Sequence, residues 1–341
     1  MRNKEPSKTT VLQLFIFISL MLLVQSCQRH QLLPNALEDY SDRMYKVLDI
    51  EKTDIPTFAT LAFPDKQNFA INIPKLNIKM REFYAIEDCA IKQLIAERNT
   101  ALGKIQLPSV RLNYEWTLIN NLQNCIKIYS TQNNDALVEK MQDWLSQKEA
   151  MFPLVWANMV TQSNEFYLGI SASSGFIDGD ENDNFTEGLF DLKNLVAVRD
   201  DPAANIVAME ASLQSIQKHR VYVRLWRSQM LLRNYLNQMT TDISHWASSF
   251  TCQTTKDREQ LAIIRNVFTM FFIQNVQAIG AQINHYHYAL KPEFLKLIND
   301  DNLPTSFTLT IDKYNQSEFD EYQKAMLTHI RMWQGIFKLC D

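Results

Sequence analysis

The chain has 341 residues with 34 basic and 38 acidic side chains, for a formal net charge of −4. That mild acidity excludes the strongly basic domain expected of a nucleic-acid binder. Seven glycines, where ~7% of residues is usual, argue against folds built on many tight turns and point to long helices.

Arg2, Lys4 and Lys8 precede an almost uniformly apolar run from Val11 to Val24. The run is shorter than the ~20 residues of a membrane span. A basic start followed by a short apolar core is the pattern of a secretory signal. It closes on Val24-Gln25-Ser26-Cys27, which resembles a lipobox, where a small residue precedes the cysteine that is acylated and becomes the new N-terminus. The expected organisation is therefore a signal peptide over residues 1–26 and lipid attachment at Cys27. A short tether follows over 27–34. One acyl chain holds a protein weakly at a bilayer and several hold it firmly. Gln28 in place of an aspartate resembles an outer-membrane address, facing the periplasm.

Residues 35–49 read as a first amphipathic helix. Pro56, Pro64 and Pro74 make residues 52–80 extended. Within them Phe69, Ile71 and Ile73 alternate, as do Phe307, Leu309 and Ile311. These segments invite one small two-stranded β pairing inside an otherwise α-helical fold.

Residues 82–102 and 109–129 read as a helical hairpin, with Gly103 at a helix end and Pro108 at the next start. Ile91, Ile95, Arg98 and Leu102 share one face of the first helix. Leu112, Glu115, Ile119, Leu122 and Ile126 share one face of the second. In antiparallel register Arg98 meets Glu115 inside this apolar seam. Cys89 and Cys125 fall at the same height, yet Cys89 lies about 150° around the wheel from the seam. After Cys27 four cysteines remain, an even number that in an oxidising compartment implies two disulfides with three connectivities. Register favours Cys89–Cys125, which leaves Cys252 with Cys340.

Further helices are expected over 133–147 and 150–167. The polar run 171–188 then divides an N-terminal half, 35–175, from a C-terminal half, 185–341. In the second half, Leu225 to Phe250 and Leu261 to Leu290 carry two long apolar stripes that form an antiparallel hairpin ended by Pro292. A last helix spans about 316–339 and brings Cys340 to the hairpin turn at Cys252.

The stretch from Asp88 to Cys125, and above all LIAERNTALGK at 94–104, resembles an uncharacterised family of proteobacterial lipoproteins defined only as a domain of unknown function. The resemblance implies a lipoprotein and supplies no activity, substrate or site.

The polar constellations are few. Asp178, Asp180, Asn182, Asp183 and Asn184 fail the EF-hand pattern, because the sixth position is Asp183 rather than glycine and the twelfth is Leu189. They read as a solvated acidic loop. His285 and His287 lie on opposite sides of a helix and do not form a metal pair. Arg220, Arg224 and Arg227 read as a solvent-facing stripe, with anion binding or a contact to the acidic 178–187 loop as the alternative. Glu97, Arg98, Asn99 and Glu115 are a candidate polar pocket or a structural ion pair. No motif for a nucleophile, a metal or a cofactor is present.

The sequence thus describes a mainly α bundle of long antiparallel hairpins, anchored to the lipid bilayer through Cys27. The expected role is a binding or scaffolding module with an envelope protein partner. The alternative is an envelope hydrolase or transferase whose site is assembled from distant helices.

Overall fold

The computed structural model describes residues 32–55, 61–87, 89–180 and 183–340. The signal peptide, Cys27 and the tether up to residue 31 lie outside the described residues. The α-helices of eight residues or more are α1 (Leu32–Leu48), α2 (Ile91–Asn99), α3 (Pro108–Thr131), α4 (Asp135–Gln162), α5 (Asn164–Ser171) and α6 (Phe185–Ala197). They continue as α7 (Met209–His219), α8 (Val221–Ser249), α9 (Thr255–Val267), α10 (Gln277–Ile298), α11 (Thr305–Asp312) and α12 (Glu318–Phe337). A π-helical segment, Phe268–Val276, joins α9 to α10, and another, Lys313–Ser317, joins α11 to α12.

No described residue lies in a strand. The expected β pairing is replaced by a different contact between the same two segments. Phe69 ends a short 3₁₀ turn capped by Asp65, and Phe307 lies on α11. Their rings meet edge to face at 5.4 Å, and the Ser306 hydroxyl donates to the Asn68 carbonyl. Pro304 starts a helix here, with two backbone donors from Phe307 and Thr308 closing on its carbonyl, and helical pairing wins over alternation.

Apolar side chains form two separate clusters. The larger runs from Leu33 on α1 to Ile336 on α12. The smaller, a satellite core, gathers Ile86, Ile91, Ile95, Leu118, Leu122, Cys125, Tyr129, Leu137, Met141 and Trp144. Helices α3 and α4 pack along one another and serve both cores. Leu112 and Ile119 of α3 face the large core, whereas Leu118, Leu122 and Cys125 face the small one. The expected single seam on this helix is thus two seams on adjacent faces. Helix α4 changes core along its length: Leu137, Met141 and Trp144 are in the satellite, and Phe152, Val155 and Trp156 in the main core. It runs unbroken where two helices were expected, and carries Pro153 in its interior.

The first helix begins at Leu32, before the expected Asn35, because Pro34 is tolerated in a first turn where backbone donors have no helical partner. It is not peripheral. Leu33, Leu37, Tyr40 and Met44 are fully buried, and burial of such side chains contributes about 1.5–3 kcal/mol each. α1 packs against α8, α9 and the π-helical segment 268–276. The expected long hairpin is therefore opened by a guest: α8 packs most extensively on α12, with α1 against both arms. α10 also continues past Pro292 to Ile298, with the residue four before that proline, Tyr288, at the surface.

Both disulfides form as the register favoured, Cys89–Cys125 and Cys252–Cys340. The conflict over Cys89 disappears because α2 begins only at Ile91. Cys89 lies in the turn before it, so the helical wheel does not fix its direction. The second bond ties the α8–α9 turn to the chain end across a sequence separation of 88. Replacing Cys252 and Cys340 by serine is expected to cost about 4–5 kcal/mol in the chain-entropy model, read as a lower urea midpoint. Unchanged stability would mean that the bond closes nothing the fold does not already hold.

Candidate functional site

A concavity of about 730 Å³ lies between the extended segment before Met80, α2, the 99–104 turn, α3 and α4. Lys75, Arg98, Lys104, Arg111 and Lys148 line it, together with Asn99 and Tyr114. Leu76, Ile78, Phe83, Ile95 and Leu118 supply an apolar wall.

The 94–104 stretch builds one side of it. α2 stops at Asn99 because Thr100 turns extended, with its hydroxyl donating to the Glu97 carbonyl at 2.7 Å and accepting from the Gly103 amide at 2.9 Å. The chain then folds back so tightly that a Cβ on Gly103 would collide with the Glu97 carbonyl, so only glycine fits. In that turn the Arg98 guanidinium donates to the Gly103 carbonyl. Arg98 and Lys104 thereby stand on the same wall. The most specific part of the sequence resemblance is thus a wall of the cleft.

Glu115 lies beneath, 2% exposed. It pairs not with Arg98 but with Arg111, one turn back on α3, and with Lys148 of α4 at 2.9 Å. Lys148 is itself buried. Because α2 is short and packs on the Leu118 face, Arg98 does not reach the Glu115 face. Glu97 is exposed, accepts from Gln93 at 2.7 Å and does not line the cleft, whereas Asn99 does. Burial, then the Glu115 charge, push the Tyr114 hydroxyl up to about 12. Sequence reading missed Lys75, Lys104, Arg111 and Lys148. A signal existed for Lys148: it interrupts the apolar stripe Leu137, Met141, Trp144, Phe152 of α4.

The other constellations are structural. The acidic loop is solvated only in part: Asp180 is exposed, whereas the Asp183 carboxylate is fully buried and accepts from the Asp178 and Gly179 amides at 3.1 and 2.8 Å. Asn182 lies outside the described residues. The arginines are not a solvent stripe either. Arg224 binds Asp183 at 2.6 Å and the Phe176 carbonyl at 2.9 Å, and Arg220 and Arg227 donate to the Ala172 and Gly175 carbonyls. All three pin the chain after α5 against the start of α8 rather than forming a solvent stripe, and Arg224 makes the alternative contact to the acidic 178–187 loop, at Asp183. Among the described residues no group of three His, Cys, Asp or Glu is placed to hold a metal ion.

Two histidines sit deep in the bundle. His287 stacks flat on Phe319 at 3.4 Å. His329, which sequence reading did not single out, lies 2.8 Å from the Tyr40 hydroxyl and 2.9 Å from the Thr240 hydroxyl. Thr240 donates to the Leu236 carbonyl at 2.5 Å, so it accepts from Nδ1–H of His329, and Nε2 accepts in turn from Tyr40 or Trp333. Burial pushes both histidines from near 6.5 down to about 3.

These features define a class: an all-α protein, stapled by two disulfides, whose satellite helices carry a cationic, half-apolar cleft. The chain belongs to the family described as Protein of unknown function (DUF3080), which matches residues 37–341. No curated protein and no solved structure matches it.

The histidines carry a pH dependence. Between pH 6.5 and 3 the unfolded chain binds protons that the folded one refuses, so stability is full above 6.5 and falls on acidification. The slope is about 1.4 kcal/mol per pH unit for each histidine at most. His287→Phe, which preserves the stack on Phe319, is expected to make the urea midpoint fall less steeply from pH 7 to 5. An identical slope would mean that His287 already titrates normally.

Proposed function

We propose that this protein is an acylated lipoprotein of the cell envelope, held through Cys27 in the outer membrane and facing the periplasm, where it acts as a binding module. The observation that carries the reading is the short apolar run ending in Val24-Gln25-Ser26-Cys27. The two disulfides support it, since such bonds persist in oxidising compartments. So does the position of α1: it starts at Leu32 and Leu33 is already fully buried in the core, so an anchor at Cys27 lies within about 20 Å of the fold by chain length. No helix among the described residues is long and apolar enough to cross a membrane, so attachment would rest on the acyl chains. The cleft between α2, α3 and α4 is the site where such a module would bind, and an envelope protein partner would act from the same anchored position.

Intact-mass and N-terminal peptide analysis of the protein from its membrane fraction tests this. The expected N-terminus is Cys27 bearing a thioether-linked diacylglycerol and an N-acyl chain, with Cys27→Ser leaving the chain unprocessed. A chain that still begins at Met1, or a free thiol at Cys27, contradicts it.

A further inference from the structure

The cleft has a charge surplus that the protein itself does not answer. Among the described residues five cations line it and no carboxylate does. Glu115 beneath it is already shared by Arg111 and Lys148. Among the described residues no carboxylate pairs with Lys75, Arg98 or Lys104. Arg98 spends Nη1 on the Gly103 carbonyl, while its Nε is buried with no hydrogen-bond partner. Unpaired cations held together in a concavity repel one another and recruit an anion. Arginine adds a planar fork that matches the oxygens of a phosphate or carboxylate.

Charge is half of the chemistry. Much of the rest of the lining forms an apolar wall, from Leu76 and Ile78 through Phe83 to Ile95 and Leu118. The chain beside the cleft also carries large apolar side chains into solvent: Met80 is 68% exposed, Ile105 86% and Leu107 63%. A free inorganic anion would leave this wall and rim unused. A molecule with a charged end and a hydrocarbon end uses both.

We propose that the cleft binds an anionic amphiphile, a phosphate or carboxylate head group on an alkyl chain. The head group sits on Arg98, Lys104 and Lys75, and the chain lies along Ile78, Phe83, Ile95 and Leu118. The ion pairs under Glu115 hold Arg111 and Lys148 in place, so those two cations shape the floor while the other three remain for the ligand. A volume of about 730 Å³ suits a single such molecule, within the ~300–1,000 Å³ of small-molecule sites. The inference rests on the reading of the protein as an envelope binding module, where anionic amphiphiles surround it.

The test is calorimetric titration of the full chain, held in neutral dodecyl maltoside, with dodecyl phosphate, dodecanoate and inorganic phosphate. The expected result is saturable one-to-one binding of dodecyl phosphate, dodecanoate or both, and the stronger of the two names the head group. The Lys75→Gln/Lys104→Gln double variant changes only exposed side chains and is expected to bind about tenfold more weakly, with Arg98→Gln weaker again. Inorganic phosphate binding as tightly as dodecyl phosphate would make this a simple anion site and overturn the proposal. Absence of saturable binding, or equal affinity in the double variant, would overturn it as well. The mass of Cys27 in the same preparation separates the two readings. An unmodified Cys27 with ligand bound removes the anchor and leaves the cleft, and an acylated Cys27 with no binding does the reverse.

Discussion

A single buried carboxylate organises the junction on which the site depends. Glu115 sits on α3 between residues that face the large core, Leu112 and Ile119, and residues that face the satellite, Leu118 and Leu122. Lys148 occupies the corresponding place on α4, between Trp144 of the satellite and Phe152 of the large core. Their ion pair therefore lies on the seam between the two cores. Neither charge is tolerable there alone, since the desolvation cost of a lone buried ion amounts to several kcal/mol. Paired, and joined by Arg111, they fix the height of α3 against α4. That register in turn places Arg111 and Lys148 at the floor of the cleft.

The remaining cations are brought in by local backbone rather than by pairing. The turn after α2 needs Thr100 to stop the helix and Gly103 to pass the Glu97 carbonyl. Its product is a wall carrying Arg98 and Lys104. The disulfide Cys89–Cys125 holds the start of α2 against the far part of α3, with Cα atoms 5.8 Å apart. A short helix that packs on only one small core is thus secured at its beginning by a covalent bond and at its end by a tight turn. The main bundle follows a different logic. Its N-terminal helix is inserted among later ones, and a buried hydrogen-bonded chain from Tyr40 through His329 to Thr240 ties that helix to α12 and α8.

Much of this was legible in the residues. Few glycines and long apolar stripes foretold a helical fold, and the register of Cys89 with Cys125 identified the first disulfide. Its apparent conflict with the helical wheel came from extending α2 backward across a turn. The Phe307–Ile311 alternation misled because three residues of period two are too few to outweigh a helix start at Pro304. The Arg98–Glu115 pair misled for a deeper reason: α3 buries two faces, so a one-sided wheel assigned Glu115 to the wrong neighbour. The arginines of α8 looked solvent-facing only because their partners are loop carbonyls and one buried aspartate, which no periodicity reveals. Lys148 was visible as a lysine within an apolar stripe, and a partner for it was Glu115 all along.

The central claim is that Glu115 and Lys148 neutralise one another at the seam of the two cores. A double-mutant cycle tests it most directly, with urea unfolding of Glu115→Gln, Lys148→Met and the double variant. Mutual neutralisation predicts that each single substitution costs about 3–5 kcal/mol and that the double costs less than either. Costs that simply add would contradict it, and would leave the register of α3 on α4 to the apolar contacts alone.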